Sequence, residues 1–261
     1  MSLQRKTAVI YGAGGAIGGV VARTFAREGA RVFMTGRTPT ELSVVAKAIV
    51  EGGGVAETAQ VDPLDEQEIE RHAANVVRKT GAIDVSFNLI NIPHVHGKPL
   101  VEQCVDDFAV PVMQYARSQF LTATTAARYM ITRRSGVILM MTAPSARIGR
   151  PLVGAFGAAC AAVEAFARTL AAEVGPHGVR VVCLRSSGPP EETDAGGNSQ
   201  QHANASGGTL EHLQAKLRDG TTLRRLTTLE EVANVATFVA SEHASAMTAT
   251  SVNLSCGLVV D

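Results

Sequence analysis

The chain has 261 residues, 46 % of them hydrophobic, enough for one large α/β domain with a sizeable core. Its 24 Lys and Arg balance 24 Asp and Glu, and the basic residues are scattered, which excludes a nucleic-acid groove or a membrane-surface patch. No apolar run reaches the ~18 residues of a bilayer span, and Met1 to Lys6 carry no signal-peptide core. The four cysteines, Cys104, Cys160, Cys183 and Cys256, show neither CxxC pairing nor metal-ligand spacing, so mostly buried thiols and a cytoplasmic location are expected, with no metal.

In chain order the pattern is strand, turn, helix, repeated. Thr7–Tyr11 is a β-rich run, followed by a glycine turn and an amphipathic stretch to Glu28, which Gly29 ends. Strands are expected at 31–35, 55–61, 84–90, 137–142, 179–184 and 251–254, and helices at 41–51, 66–80, 105–133, 153–174 and 229–241. This alternation predicts a single-domain, doubly wound parallel sheet with helices on both faces. Residues 189–208, rich in Gly, Asn, Gln, Ser and His, are expected to form a flexible loop over the sheet's C-terminal edge.

The chemistry-bearing motif is Gly12-Ala13-Gly14-Gly15-Ala16-Ile17-Gly18, between the first strand and the first helix. Small residues there let backbone N–H groups approach a pyrophosphate, whose charge a helix N-terminus favours. The second strand ends at Thr35-Gly36-Arg37-Thr38. It lacks the carboxylate that usually holds a ribose 2′-hydroxyl and offers instead a guanidinium and a hydroxyl to a 2′-phosphate. The expected cofactor is therefore NADP(H), ahead of NAD(H).

The spacing Gly12-xxx-Ala16-x-Gly18 is joined by Val61-Asp62, by Asn88, by 173–181 and by Leu223-Arg224-Arg225-Leu226 through Glu230-Glu231-Val232-Ala233. In this order the segments resemble the short-chain dehydrogenase/reductase family over nearly the whole chain. The resemblance implies a Rossmann-type fold and hydride transfer between a nicotinamide and a small carbonyl or alcohol substrate. It also implies a homo-oligomer, a tetramer in this family, assembled through its long central helices. It makes Asp62 an adenine contact and Asn88 the first residue of the family's Asn-Asn-Ala-Gly turn, from which Leu89, Ile90 and Asn91 depart. The candidate cofactor set is Gly12, Gly14, Gly15, Ala16, Ile17, Gly18, Arg37, Thr38, Asp62 and Asn88. Thr193 is a candidate for the family threonine that holds the carboxamide.

The family's catalytic slots hold other residues. Aligned without a gap, the Tyr slot carries Phe156, the Lys slot Cys160, the Ser slot Ala143 and the Asn slot Tyr115. Substitutes weighed for them are Tyr115, the loop histidines His94 and His96, and Ser145. Cys160, in an alanine-rich helix with no basic neighbour in sequence, reads as an inert thiol. Two readings stand: an oxidoreductase with an atypical site, or a degenerate relative serving as a dinucleotide-binding or protein-interaction module.

Overall fold

In the computed structural model, which describes residues 2–187, 203–205 and 207–260, seven parallel strands form one sheet in the order β3-β2-β1-β4-β5-β6-β7. The strands are β1 (Thr7–Tyr11), β2 (Arg31–Gly36), β3 (Val55–Gln60), β4 (Val85–Asn88), β5 (Gly136–Thr142), β6 (Val179–Ser186) and β7 (Thr250–Leu254). The longer helices are α1 (Ala16–Arg27), α2 (Pro39–Glu51), α3 (Glu66–Thr80), α4 (Val105–Arg133), α5 (Phe156–Val174), α6 (Leu210–Asp219) and α7 (Leu229–Ala240). Near-continuous apolar runs such as Val137 to Met141 make the central strands, because a parallel sheet is covered on both faces.

One buried layer joins the sheet to α3, α4 and α5 through Ile69, Val76, Leu121, Met130, Val163 and Leu170. The other joins it to α1, α2 and α7 through Val21, Phe25, Leu42, Ile49, Ala236 and Val239. β1 pairs with β2 on one side and β4 on the other. The strand order reverses there, which opens a crevice at the C-terminal ends of β1 and β4 where such sheets bind ligands.

Several element ends differ from the sequence expectation, each for a local reason. α2 starts at Pro39 rather than 41, because proline's fixed φ suits the first helical turn. β4 stops at Asn88 rather than Ile90, as the Asn88 side-chain oxygen takes the Ile90 N–H at 2.9 Å and turns the chain. α5 begins at Phe156 rather than Val153, since Gly154 lies at φ +54°. β6 runs on to Ser186, with Arg185 buried. α6 was not expected at all. Of the expected loop 189–208, residues 203–205 are helical and 207–208 form a turn; the remainder lies outside the described residues, as does Thr193. The cysteines also divide otherwise than expected: Cys160 and Cys183 are buried, Cys256 is half-buried and Cys104 is exposed. Cys104 caps α4, its sulfur accepting the Asp107 N–H while Asp107 returns the bond to the Cys104 N–H.

Candidate active site

The glycine turn leaves β1 through Gly12, whose φ of +79° is one that side-chain-bearing residues avoid. A Cβ on Gly12 would stand 2.8 Å from the Leu89 carbonyl oxygen, and one on Gly18 only 2.2 Å from the Gly12 carbonyl oxygen. These two glycines let the turn lie against β4 and α1 lie against the turn. Gly15 and Ala16 are exposed, Gly14 and Ile17 half-buried. No side chain caps α1 at Gly15, and its first turn carries no acidic residue. Its leading N–H groups have no acceptor within the helix and carry the positive end of the helix dipole. The turn therefore fits a pyrophosphate.

Arg37 and Thr38 are both exposed beyond the end of β2. Among the described residues the Arg37 guanidinium makes no hydrogen bond or ion pair, while its carbonyl accepts the Gln60 amide at 3.2 Å. Thr38 precedes α2 without using its hydroxyl as a cap. One carboxylate approaches the same region: a Cβ built on Gly14 would be 3.1 Å from Glu41 Oε2. Asp62 follows β3, exposed, with one side-chain oxygen accepting the Leu64 N–H at 2.9 Å. Asn88 is buried, and its amide nitrogen donates to the Ser118 carbonyl at 3.1 Å and the Thr122 hydroxyl at 2.9 Å. Its side chain thus ties β4 to α4 and, through its oxygen on the Ile90 N–H, shapes the turn after β4.

The residues expected at the catalytic slots come together around the start of α5. Phe156, at the first turn of α5, stacks on His94 with ring centroids 4.6 Å apart and planes within 6°. Tyr115 lies with its ring 6.5 Å from that of Phe156. Ile92, His94, Pro111, Tyr115, Phe156 and Ala159 together enclose a cavity of about 10 Å³, room for about one water. The Tyr115 hydroxyl is not free to serve a substrate. It donates to the Met141 carbonyl at 2.6 Å, and burial, with the Cys160 and Cys183 thiols nearby, pushes its pKa well above the usual phenol value. Tyr115 is a packed, satisfied tyrosine. Ser145 sits in a short 3₁₀ turn, its carbonyl so close under Gly157 that a Cβ there would approach it to 2.8 Å. Burial pushes the Cys160 thiol up to about 12, so it is protonated and unreactive.

His94 hydrogen-bonds through Nδ1 to the Ile92 carbonyl at 2.9 Å, and its Nε2 contacts Nε2 of His96. Burial pushes its pKa below the usual imidazole value, against the opposing pull of the Ile92 carbonyl.

Sequence reasoning missed one buried polar feature of α5. Glu164, two turns along α5 from Phe156, and Arg185 on β6 form a fully buried, two-pronged ion pair, with Nε to Oε1 and Nη2 to Oε2 both 2.8 Å. The Thr142 hydroxyl adds a third bond to Glu164 at 3.0 Å. Burial opposes the ionised carboxylate, but the guanidinium and the hydroxyl outweigh it and hold its pKa below the usual carboxylate value. The available signal was a charge set in each of two apolar runs, Glu164 after Ala-Ala-Val and Arg185 after Val-Cys-Leu.

No helix among the described residues is long and apolar enough to cross a membrane, and these residues contain no cluster of three or more His, Cys, Asp or Glu placed to hold a metal ion. Comparison with known proteins bears on the rest. Residues 12–259 match the family described as Enoyl-(Acyl carrier protein) reductase. The chain is 26 % identical over 247 residues to 2,3-dihydro-2,3-dihydroxybenzoate dehydrogenase of Bacillus subtilis, covering 94 % of this chain and 93 % of that one. It is 28 % identical over 258 residues to 3-oxoacyl-[acyl-carrier-protein] reductase of Chlamydia pneumoniae, covering 99 % and 98 %. Its fold matches NAD⁺-bound xylitol dehydrogenase with a TM-score of 0.90 at 23 % identity, over 98 % of this chain and all of the other. A glycine cradle at the switch point of a seven-stranded parallel sheet agrees with what a match of this extent establishes: the chain belongs to this reductase family, within the dinucleotide-binding short-chain dehydrogenases/reductases.

Proposed function

We propose that the protein is an NADP(H)-linked oxidoreductase acting on a carbonyl or alcohol through a site without the family's usual tyrosine and lysine. When bound, the cofactor supplies or accepts the hydride. Gly12, Gly14, Gly15, Ala16, Ile17 and Gly18 would hold its pyrophosphate, Asp62 its adenine, and Arg37 with Thr38 its 2′-phosphate. Asn88 acts by fixing the β4 turn. The observation that carries the reading is the uncapped, acid-free start of α1 behind a turn whose Gly12 and Gly18 have no room for a Cβ. Arg37, with no partner among the described residues, supports the phosphorylated cofactor.

Glu41 is the observation on the other side, since a carboxylate beside Gly14 favours a hydroxyl and therefore NAD(H). Titration decides between them. Arg37→Ala is expected to weaken NADPH binding by about 1–3 kcal/mol, the range of a charged hydrogen bond, and to leave NADH binding unchanged. Tighter binding of NADH by the unaltered protein overturns the assignment.

A second reading, a dinucleotide-binding or protein-interaction module without turnover, is favoured by Phe156, which has no exchangeable proton, and by the commitment of Tyr115 to Met141. Turnover on any carbonyl substrate excludes it.

We further propose a symmetric homotetramer, located in the cytoplasm. Met113 and Phe120 lie exposed along α4, and Phe120 meets Phe166 of α5 with ring centroids 5.7 Å apart. This aromatic and aliphatic strip extends across both long helices, and a closed interface buries such a surface. Light scattering at micromolar concentration should give four times the chain mass of 27.3 kDa; a monomer contradicts it.

A further inference from the structure

The cavity at the start of α5 is where the two redox partners would meet, and its lining offers few ways to move a proton. Ile92, Pro111, Phe156 and Ala159 have no titratable side chain, and the Tyr115 proton is committed to the Met141 carbonyl. His94 remains. Its ring lies flat on Phe156 at 4.6 Å, so it stands beside the position from which the family's phenol would act.

The hydrogen bonds settle which nitrogen is available. A carbonyl only accepts, so Nδ1, 2.9 Å from the Ile92 carbonyl, carries the hydrogen. The neutral ring then keeps its lone pair on Nε2, where His96 meets it. Backbone contact fixes the ring's tautomer as a carboxylate does in a triad.

We infer that His94 is the proton-transferring residue of this site, with Nε2 taking the substrate proton. The inference rests on the oxidoreductase reading above. In alcohol oxidation the carbinol C–H bond breaks, and its hydrogen leaves with the electron pair to the oxidised nicotinamide. The O–H bond breaks with its proton passing to Nε2, and the electrons left on oxygen close the C=O bond. Reduction runs the same transfers backwards. His96, whose Nε2–H meets that lone pair in the resting site, turns aside as the substrate hydroxyl arrives, and His94 Nε2 releases its proton to water once the carbonyl product has left.

Among the described residues, the groups facing His94 are His96 on its own loop, Tyr115 from α4, and Phe156 and Ala159 from α5. Burial lowers the His94 pKa, so the ring is neutral at pH 7 and ready to act as a base. Oxidation should therefore rise with pH through a value below 6.5, the unperturbed imidazole pKa, and level off above it. Reduction should fall through the same value.

The test uses the full chain with ¹⁵N-labelled histidine and two ligands, NADP⁺ and adenosine 2′,5′-bisphosphate, which lacks the nicotinamide half. The His94 ring signals, assigned by loss in His94→Gln, should report a hydrogen on Nδ1 and should shift with NADP⁺ but not with the bisphosphate. Binding of NADP⁺ with His94 unmoved overturns the inference and leaves the cofactor reading intact; failure of both ligands to bind overturns that reading. In parallel, His94→Gln should keep its NADP⁺ Kd within about twofold while kcat on a panel of secondary alcohols falls about 10²–10⁴-fold, the scale of a lost general base, and the acid limb of the pH profile disappears. An unchanged kcat overturns the role of His94, and no turnover by the unaltered protein overturns that role and the oxidoreductase reading together.

Discussion

Glu164→Ala is expected to destabilise the folded protein by about 3–5 kcal/mol, because it leaves the Arg185 guanidinium charged in the interior without its principal partner. Both side chains are at most 3 % exposed, so water cannot screen the loss as it does for a surface pair. Replacing both at once, Glu164→Leu with Arg185→Met, should recover most of the loss, since the cost comes from the unpaired charge. The carboxylate's folded pKa lies below its unfolded value. Its contribution is therefore present above the ordinary carboxylate pKa and is lost as pH falls through the folded one. Urea denaturation of the three proteins at pH 7 and pH 4 measures all of this. A single variant as stable as the parent at pH 7 contradicts the account.

Gly18→Ala should be the most damaging single methyl in the cofactor turn. Its Cβ would sit 2.2 Å from the Gly12 carbonyl oxygen and 2.7 Å from the Ala13 Cα. Both are backbone atoms, which cannot swing away as a flexible side chain can. Overpacking of this kind costs about 1–3 kcal/mol or more, and it moves α1 off the turn that its N-terminus serves. Gly15→Ala is the control. Its Cβ would be 3.4 Å from its nearest neighbour, at a φ of −73° that alanine adopts freely. Thermal melts should show a large loss of stability for Gly18→Ala and almost none for Gly15→Ala. NADPH titration should show weakened binding in both, because Gly15 is exposed at the start of α1, where an added methyl obstructs a phosphate. Equal melting temperatures for the two variants would remove the packing argument.

The fold was legible where periodicity and punctuation agreed. α3 has the expected bounds because Asp65 caps it, accepting the Glu68 N–H, and Gly81 ends it at φ +80°. Ends set by tertiary contacts were not legible: Arg185 reads as the polar end of a strand until Glu164 on α5 is seen to neutralise it. The cofactor turn was visible as a motif because its chemistry lies in the backbone and requires small residues in a fixed order. His94 was visible only as a loop histidine. What singles it out, a ring laid on Phe156 and a nitrogen fixed by Ile92, arises from α5 and the loop after β4 meeting in space. Tyr115 shows the converse, a residue in a suggestive slot whose hydroxyl is already used by Met141.

The packing of α1 against α7 has a consequence for how the chain is made. Val21 and Phe25 of α1 share a buried layer with Ala233, Ala236 and Val239 of α7, and a ribosome delivers these groups many seconds apart at ~5–20 residues per second. Until α7 emerges, β1, the glycine turn and α1 lack a wall, and their apolar faces stay open to solvent and to other nascent chains. The wall behind the glycine turn is thus completed late, although the turn itself is among the first segments translated. A ligand that binds only the completed turn would stabilise the finished fold by mass action.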